Sequence, residues 1–217
     1  MSNQNYNDGR LIRVTQVIPV RGGLYRQFWQ KPVAASASYM VSDTASNSAS
    51  VTTVSTFVAT PDFARNITIT PAGTTADVAA GTVSVTGTNI RGDAITENFT
   101  ILANQSTTST GSYAFATVTQ VVIHAQDDDG ATWSVGIGDK LGLEKLLQYN
   151  SIGGNAAVAT GTTVSNFTRE GTAPTVTVDT QSIHKNTVNF NTALAATKTY
   201  VVDMITDDPA KPQQDET

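Results

Sequence analysis

Apolar and polar residues alternate along most of this chain. In Gly81–Gly87, Val83 and Val85 fall on one side and Ser84 and Thr86 on the other, and Ala94–Leu102 continues the same alternation. A period of two is the mark of a half-buried strand, because successive side chains leave a pleated backbone on opposite faces. The pattern predicts further strands over Val51–Val58, Ile67–Thr70, Thr119–Ile123 and Ala131–Ile137. In the last third it predicts strands over residues 156–160, 163–168, 175–178, 187–191 and 198–205. Turn-forming residues separate them, notably Asn89–Asp93, Asp127–Gly130 and the strand stop Pro71-Ala72-Gly73.

Three segments depart from this rhythm. Leu11–Val20 reads as an extended strand, and Pro19 argues that it lies at an edge or runs over a surface. Arg21-Gly22-Gly23 breaks it, and Leu24–Trp29 then combines aromatic with basic residues. Ala34–Ser50 is poor in large side chains and reads as a linker or long loop. Asp139–Leu147 is the one helical candidate, capped by Asp139 and weakened by Gly142. The expected fold is all-β: a β-sandwich of jelly-roll type with an extended N-terminal arm. Its divisions would be a basic, aromatic arm over residues 1–34, a sandwich over 35–205 and a flexible acidic tail over 206–217. Two small sandwiches, over about 51–140 and 150–205, are the alternative division of the middle part.

Composition sharpens this picture. Serine and threonine make up roughly a quarter of the chain, well above ordinary usage. Threonine suits a pleated surface, and serine, asparagine and glycine suit turns. With no cysteine there is neither a disulfide nor a thiolate metal site. The stretch Met1–Asp8 lacks the basic head and apolar run of a signal peptide, and no apolar run reaches membrane-spanning length. A soluble protein made in a cytoplasm, with no membrane partner, is the expectation.

Charge is unevenly spread. Of 13 basic and 18 acidic residues, residues 1–31 hold five basic and one acidic, so this segment carries +4 and the remainder −9. A basic arm on an acidic body can dock on another copy of that body or on a different acidic surface. Arg13, Arg21, Tyr25, Arg26, Phe28, Trp29 and Lys31 are the candidate partner-binding residues, since aromatics and arginine are enriched at interface centres. An ordinary core strand is the competing reading of Leu24–Trp29. The acidic body would repel phosphates, which disfavours nucleic acid.

Little in the chain suggests catalysis. His124 and His184 are the only histidines, and no serine sits in a G-x-S-x-G turn. Asp127, Asp128 and Asp129 are a weak candidate for calcium, without the acidic spacing of an EF-hand loop. Gly136–Gly142 is a near miss for a dinucleotide loop, with its third glycine one position late. Arg91-Gly92-Asp93 spells an adhesion tripeptide that turn chemistry alone can produce. The four sequons beginning at Asn66, Asn98, Asn104 and Asn166 are expected by chance in such a text. No cofactor is expected.

Several segments carry a resemblance. Thr60–Ile67, the run GTVSVTGTNIRGDAITENF from Gly81 to Phe99, WSVGIGDKLGL from Trp133 to Leu143, Thr177–Thr180 and Asn186–Leu194 resemble virion structural proteins of tailed bacteriophages. The resemblance implies a β-rich, non-enzymatic protein of the virion, made in the cytoplasm of the host bacterium. It points first to a capsid-associated decoration or cement protein that stabilises the head through contacts between subunits. The major capsid protein, or another virion protein, would be the partner, and a homo-oligomer, a trimer first, the assembly. A tail or neck component is the alternative within the particle. A receptor- or carbohydrate-binding module using the loops at Asn89–Asp93 or Gln126–Gly130 is the alternative of another class.

Overall fold

The computed structural model describes residues 22–145, 163–166, 175–177, 182–190 and 192–207; for 22–25, 163–166, 176 and 203–207 it describes the backbone alone. In chain order the strands are β1 (Gly22–Gln30), β2 (Ser36–Ala45), β3 (Thr52–Val54), β4 (Arg65–Gly73), β5 (Gly81–Thr88), β6 (Ala94–Ile101) and β7 (Ser109–Thr110). They continue with β8 (Thr117–Ile123), β9 (Ala131–Gly142), β10 (Thr163–Asn166), β11 (Thr175–Thr177), β12 (Thr187–Asn189) and β13 (Thr199–Asp207). Helix among the described residues is limited to 3-10 turns at Thr75–Asp77 and Ile183–Lys185. The chain is all-β, in antiparallel sheets, as the alternation predicts.

One sheet has the order β3-β8-β5-β6. Val83, Val85, Phe99, Ile101, Val121 and Ile123 are buried on its inner face. Each such burial contributes about 1.5–3 kcal/mol, and together they hold the sheet to its neighbour. The outer face shows what the hydroxyl residues do. Ser84 Oγ donates to Asn98 Oδ1 at 2.7 Å, and the hydroxyls of Thr86 and Thr96, and of Thr88 and Thr117, pair at 3.2 and 2.7 Å. Cross-strand pairs of this kind stabilise a solvated sheet surface.

The second sheet is organised around β9. β4 pairs along one of its edges, from Arg65 opposite Leu141 to Gly73 opposite Ala131. Two strands share the other edge: β2 covers Thr132–Ile137 and β12 covers Lys140–Gly142. Met40, Ile67, Ile69, Trp133, Val135 and Ile137 turn inward and close the first core against the four-stranded sheet, giving a β-sandwich. The buried indole of Trp133 is satisfied: its N–H donates to Ser46 Oγ at 3.1 Å, and that hydroxyl donates to the Ala131 carbonyl.

A third sheet, β1-β13-β10, covers a second core. Trp29, Leu141, Val188, Phe190, Tyr200 and Val202 meet there. Phe190 packs on Tyr200 at 4.8 Å between ring centroids, with Trp29 edge-on at 6.0 Å. Because Leu141 belongs to β9, that strand serves both cores.

Several expectations are corrected. The supposed linker Ala34–Ser50 contains β2, with Met40 fully buried. Its small residues serve close approach to β9: a Cβ at Gly136 would collide with the carbonyl of Ser36, so the two backbones meet where neither has bulk. The expected helix over Asp139–Leu147 is replaced through Gly142 by the end of β9, because β4 and β12 pair with it from both sides; residues 146–147 lie outside the described residues. Strand character in Val51–Val58 is confined to Thr52–Val54. β4 continues through Pro71 to Gly73; β7 pairs only with Thr68 and Ile69, so Pro71 has a single ladder neighbour, where proline is tolerated. Gly22 and Gly23 belong to β1, which pairs with β13 over nine residues, so this stretch of the expected arm is a sheet strand. Thr206 and Asp207, assigned to the tail, close β13. Leu11–Val20 and the tail from residue 208 lie outside the described residues.

Candidate functional site

The candidate partner-binding residues divide between two environments. Along β1, Gln27 and Trp29 are buried, whereas Arg26, Phe28 and Gln30 are exposed. Trp29 is 2% exposed and belongs to the second core; Phe28, its neighbour, is 54% exposed. Gln27 fixes the strand: its amide donates to the Gly142 carbonyl at 3.0 Å and accepts from the Glu144 N–H at 2.9 Å. Lys31 follows the strand with a left-handed φ of 53°, an exposed side chain, and its N–H on the Lys198 carbonyl. Tyr25 pairs with Met204 through its backbone; its side chain, and Arg13 and Arg21 entirely, lie outside the described residues. Among the described residues β1 is an edge strand, with Arg26 and Phe28 on its solvent face.

The remaining candidates occupy turns and cores. Asp127–Asp129 caps the β8–β9 turn. Asp129 accepts from the N–H and hydroxyl of Ser48, both at 2.8 Å, and these bonds hold its carboxyl below the usual aspartate range. Asp128 accepts from the Asp129 N–H. Among the described residues no three acidic or histidine side chains converge as a metal site would require. His124 bonds the Ala79 carbonyl through Nε2 at 3.0 Å and lies edge-on to Trp133, while His184 packs on Tyr113. Asp93 of the adhesion-like tripeptide accepts from the Asn89 amide, and Asn89 also accepts from the N–H groups of Arg91 and Asp93. These bonds tie the loop into a tight turn, with Gly92 at φ 89°. Asn66, the first sequon asparagine, is fully buried.

A site that the sequence reading missed lies on β9. Arg65 is opposite Leu141 and Ile67 is opposite Ile137, so Asn66 alone spans Gly138, Asp139 and Lys140. This is a β-bulge, a device that re-aims side chains. Asn66 staples it, accepting from the Lys140 N–H at 2.9 Å and donating to the Gly111 carbonyl at 3.2 Å. Arg65, with no exposed side-chain surface, holds the other end: Nε and a terminal guanidinium nitrogen donate to the Gly138 carbonyl. Its Nη1 donates to Asp62 Oδ1 at 2.8 Å and to the Val33 carbonyl at 3.0 Å, and Asp62 in turn accepts from the Val33 N–H. A buried guanidinium is tolerable because these acceptors replace its lost water.

Beside the bulge is a pocket of about 320 Å³ between the start of β2, the β7 segment and Ile137–Lys140. Thr68, 7% exposed, lines it, and neither its hydroxyl nor the buried Oδ1 of Asp139 has a hydrogen-bond partner. Lys140 reaches the Gly111 carbonyl at 3.3 Å. Nearby, Glu97 accepts from the N–H groups of Ser112 and Tyr113. Burial pushes its carboxyl above the ordinary value, against the opposing pull of those N–H groups and of Lys140. The signal in the sequence was the charged pair Asp139-Lys140 inside a run of small and apolar residues, which reads equally as a helix cap.

Compared with known protein families, curated proteins and solved structures, the chain matches none. No helix among the described residues is long and apolar enough to cross a membrane.

Proposed function

We propose that this chain is a structural protein of a tailed-phage particle: a capsid-associated decoration or cement protein, with a jelly-roll sandwich attached to the shell through its N-terminal region. The observation that carries this reading is the solvent face of β1. An aromatic ring 54% exposed beside Arg26 on an edge strand supplies the apolar area and positive charge of an attachment point. The acidic body and the basic N-terminal segment are complementary, which favours contact between copies around a closed ring such as a trimer. Burial between subunits then stabilises the assembled head by mass action.

The test is co-sedimentation of the purified chain with assembled heads of the phage that encodes it. Wild-type protein should pellet with the heads. Phe28→Asp should weaken the association by about tenfold or more, with an unchanged circular dichroism spectrum, because interface anchors of this size lose about 2 kcal/mol or more on truncation. Wild-type protein left in the supernatant, or a Phe28→Asp variant that pellets like wild type, would overturn the proposal.

A further inference from the structure

We propose that β6 is the docking edge for a second copy of this chain, the two β6 strands pairing antiparallel about a two-fold axis at Asn98. The proposal is independent of the attachment face on β1.

The edge is open and reachable. β6 ends its sheet and, among the described residues, pairs with β5 alone over Ala94–Ile101, without a register shift. The turn before it closes with the Asn89 N–H on the Asp93 carbonyl. Bonded and non-bonded pairs alternate along an antiparallel ladder, so Ile95, Glu97, Phe99 and Ile101 bond back to β5. Thr96, Asn98 and Thr100 then present their N–H and C=O groups to the free side, and all three residues are exposed.

Proteins ordinarily blunt such edges. Other edge strands of the first two sheets obey this rule: β3 and β11 have three residues, β7 has two, and β2 twice loses register with β9. β6 instead runs in continuous register for eight residues, with no proline, lysine or arginine. Its one charge, Glu97, lies on the inner face and is engaged within the chain, accepting from the N–H groups of Ser112 and Tyr113.

The order of residues along the strand selects the occupant. Ile95-Thr96-Glu97-Asn98-Phe99-Thr100-Ile101 is close to a palindrome about Asn98. A two-fold axis there sets Ile95 opposite Ile101 of the second copy, and Thr96 opposite Thr100 of the second copy, each pair on one face. The three residues with free backbone groups become the bonded pairs of the new ladder. Threonine pairs of the same kind already join β5 to β6, at Thr86 and Thr96. An axis at Glu97 would instead set two carboxylates directly opposite each other, which is unfavourable.

The experiment is amide hydrogen exchange of the full chain, read by NMR at about 20 µM and about 1 mM, with sedimentation equilibrium over the same range. A lone edge contact belongs with the weak interfaces below about 1,200 Å², so a high concentration is needed. Exchange at Thr96, Asn98 and Thr100 should slow about fourfold between those concentrations, as a dissociation constant of about 100 µM gives. Exchange at Ile95, Glu97 and Phe99, already bonded to β5, should not change. Thr96→Lys with Thr100→Lys sets like charges across the axis and should weaken association about tenfold. Thr96→Lys with Thr100→Glu sets opposite charges there and should associate at least as well as wild type. Both positions are exposed, so both variants should keep the wild-type circular dichroism spectrum. Three results would overturn the proposal: a monomer at about 1 mM; association that leaves exchange at Thr96, Asn98 and Thr100 unchanged; or the two double variants associating alike.

Discussion

Arg65 shows how one residue can set a local structure that its neighbours in sequence do not announce. Its guanidinium lies in the interior and joins three chain segments: the stretch entering β2 at Val33, the turn at Asp62 and the bulge at Gly138. Removing the buried guanidinium would leave the Gly138 carbonyl without its donors, whereas Asp62, an exposed residue, could turn to water. Arg65→Ala should therefore destabilise the protein by about 1–3 kcal/mol in urea unfolding. The residue string around it, Asp62-Phe63-Ala64-Arg65-Asn66, looks like an ordinary solvated lead-in to a strand. Burial of the arginine is invisible there because, Asp62 apart, its acceptors come from more than 30 and more than 70 positions away.

At the scale of the element, β1 separates what residue type alone runs together. Phe28 and Trp29 are adjacent aromatics, and the pleat sends them to opposite faces: one to solvent, one to the second core. Trp29→Ala should cost about 3–5 kcal/mol, as large-to-small changes in a packed core do. Deleting residues 1–31 should for the same reason lower stability in a denaturant titration, since the cut removes a strand paired over nine residues along with its core tryptophan. β6 carries a different test. Glu97 has its carboxyl raised from the ordinary value of 4.5 by burial. A raised carboxyl means that the folded state favours the neutral form. Its stabilising contribution is therefore complete below pH 4.5 and disappears as pH rises through the raised folded value. Glu97→Gln should remove that dependence, so its stability should stay level across the interval above pH 4.5 in which wild type declines.

For the whole molecule, the central fact is that β9 runs through both cores. Trp133 and Leu141 lie on the same strand, eight residues apart, yet one belongs to the first core and the other to the second. Cores that share a strand should melt together. The two tryptophans of the chain provide the measurement, because Trp133 reports the first core and Trp29 the second. Fluorescence melts of Trp29→Phe and Trp133→Phe should each coincide with the loss of far-ultraviolet circular dichroism in the same variant, the behaviour of one cooperative unit. A fluorescence midpoint separated from the dichroism midpoint would show that the cores unfold independently.

The chain's own text determined its class of structure. Alternation of valine, isoleucine and phenylalanine with serine and threonine can bury one face of a pleated strand and solvate the other, and it serves no helix equally well. The hairpin turn at Asn89–Asp93 was legible for the same local reason, as was the turn at Asp127–Gly130, although only the fold shows that the latter carries the chain from one sheet to the other. Tertiary structure decided the rest. β2 became a strand because Gly136 lets a run of small residues lie close against β9, and Asp139–Gly142 became strand because β4 and β12 pair with it. The bulge and its pocket depend on Arg65, Asn66 and Thr68 meeting residues some 70 positions further along the chain. Local pattern reports which way a side chain points; only long-range pairing reports what it meets there.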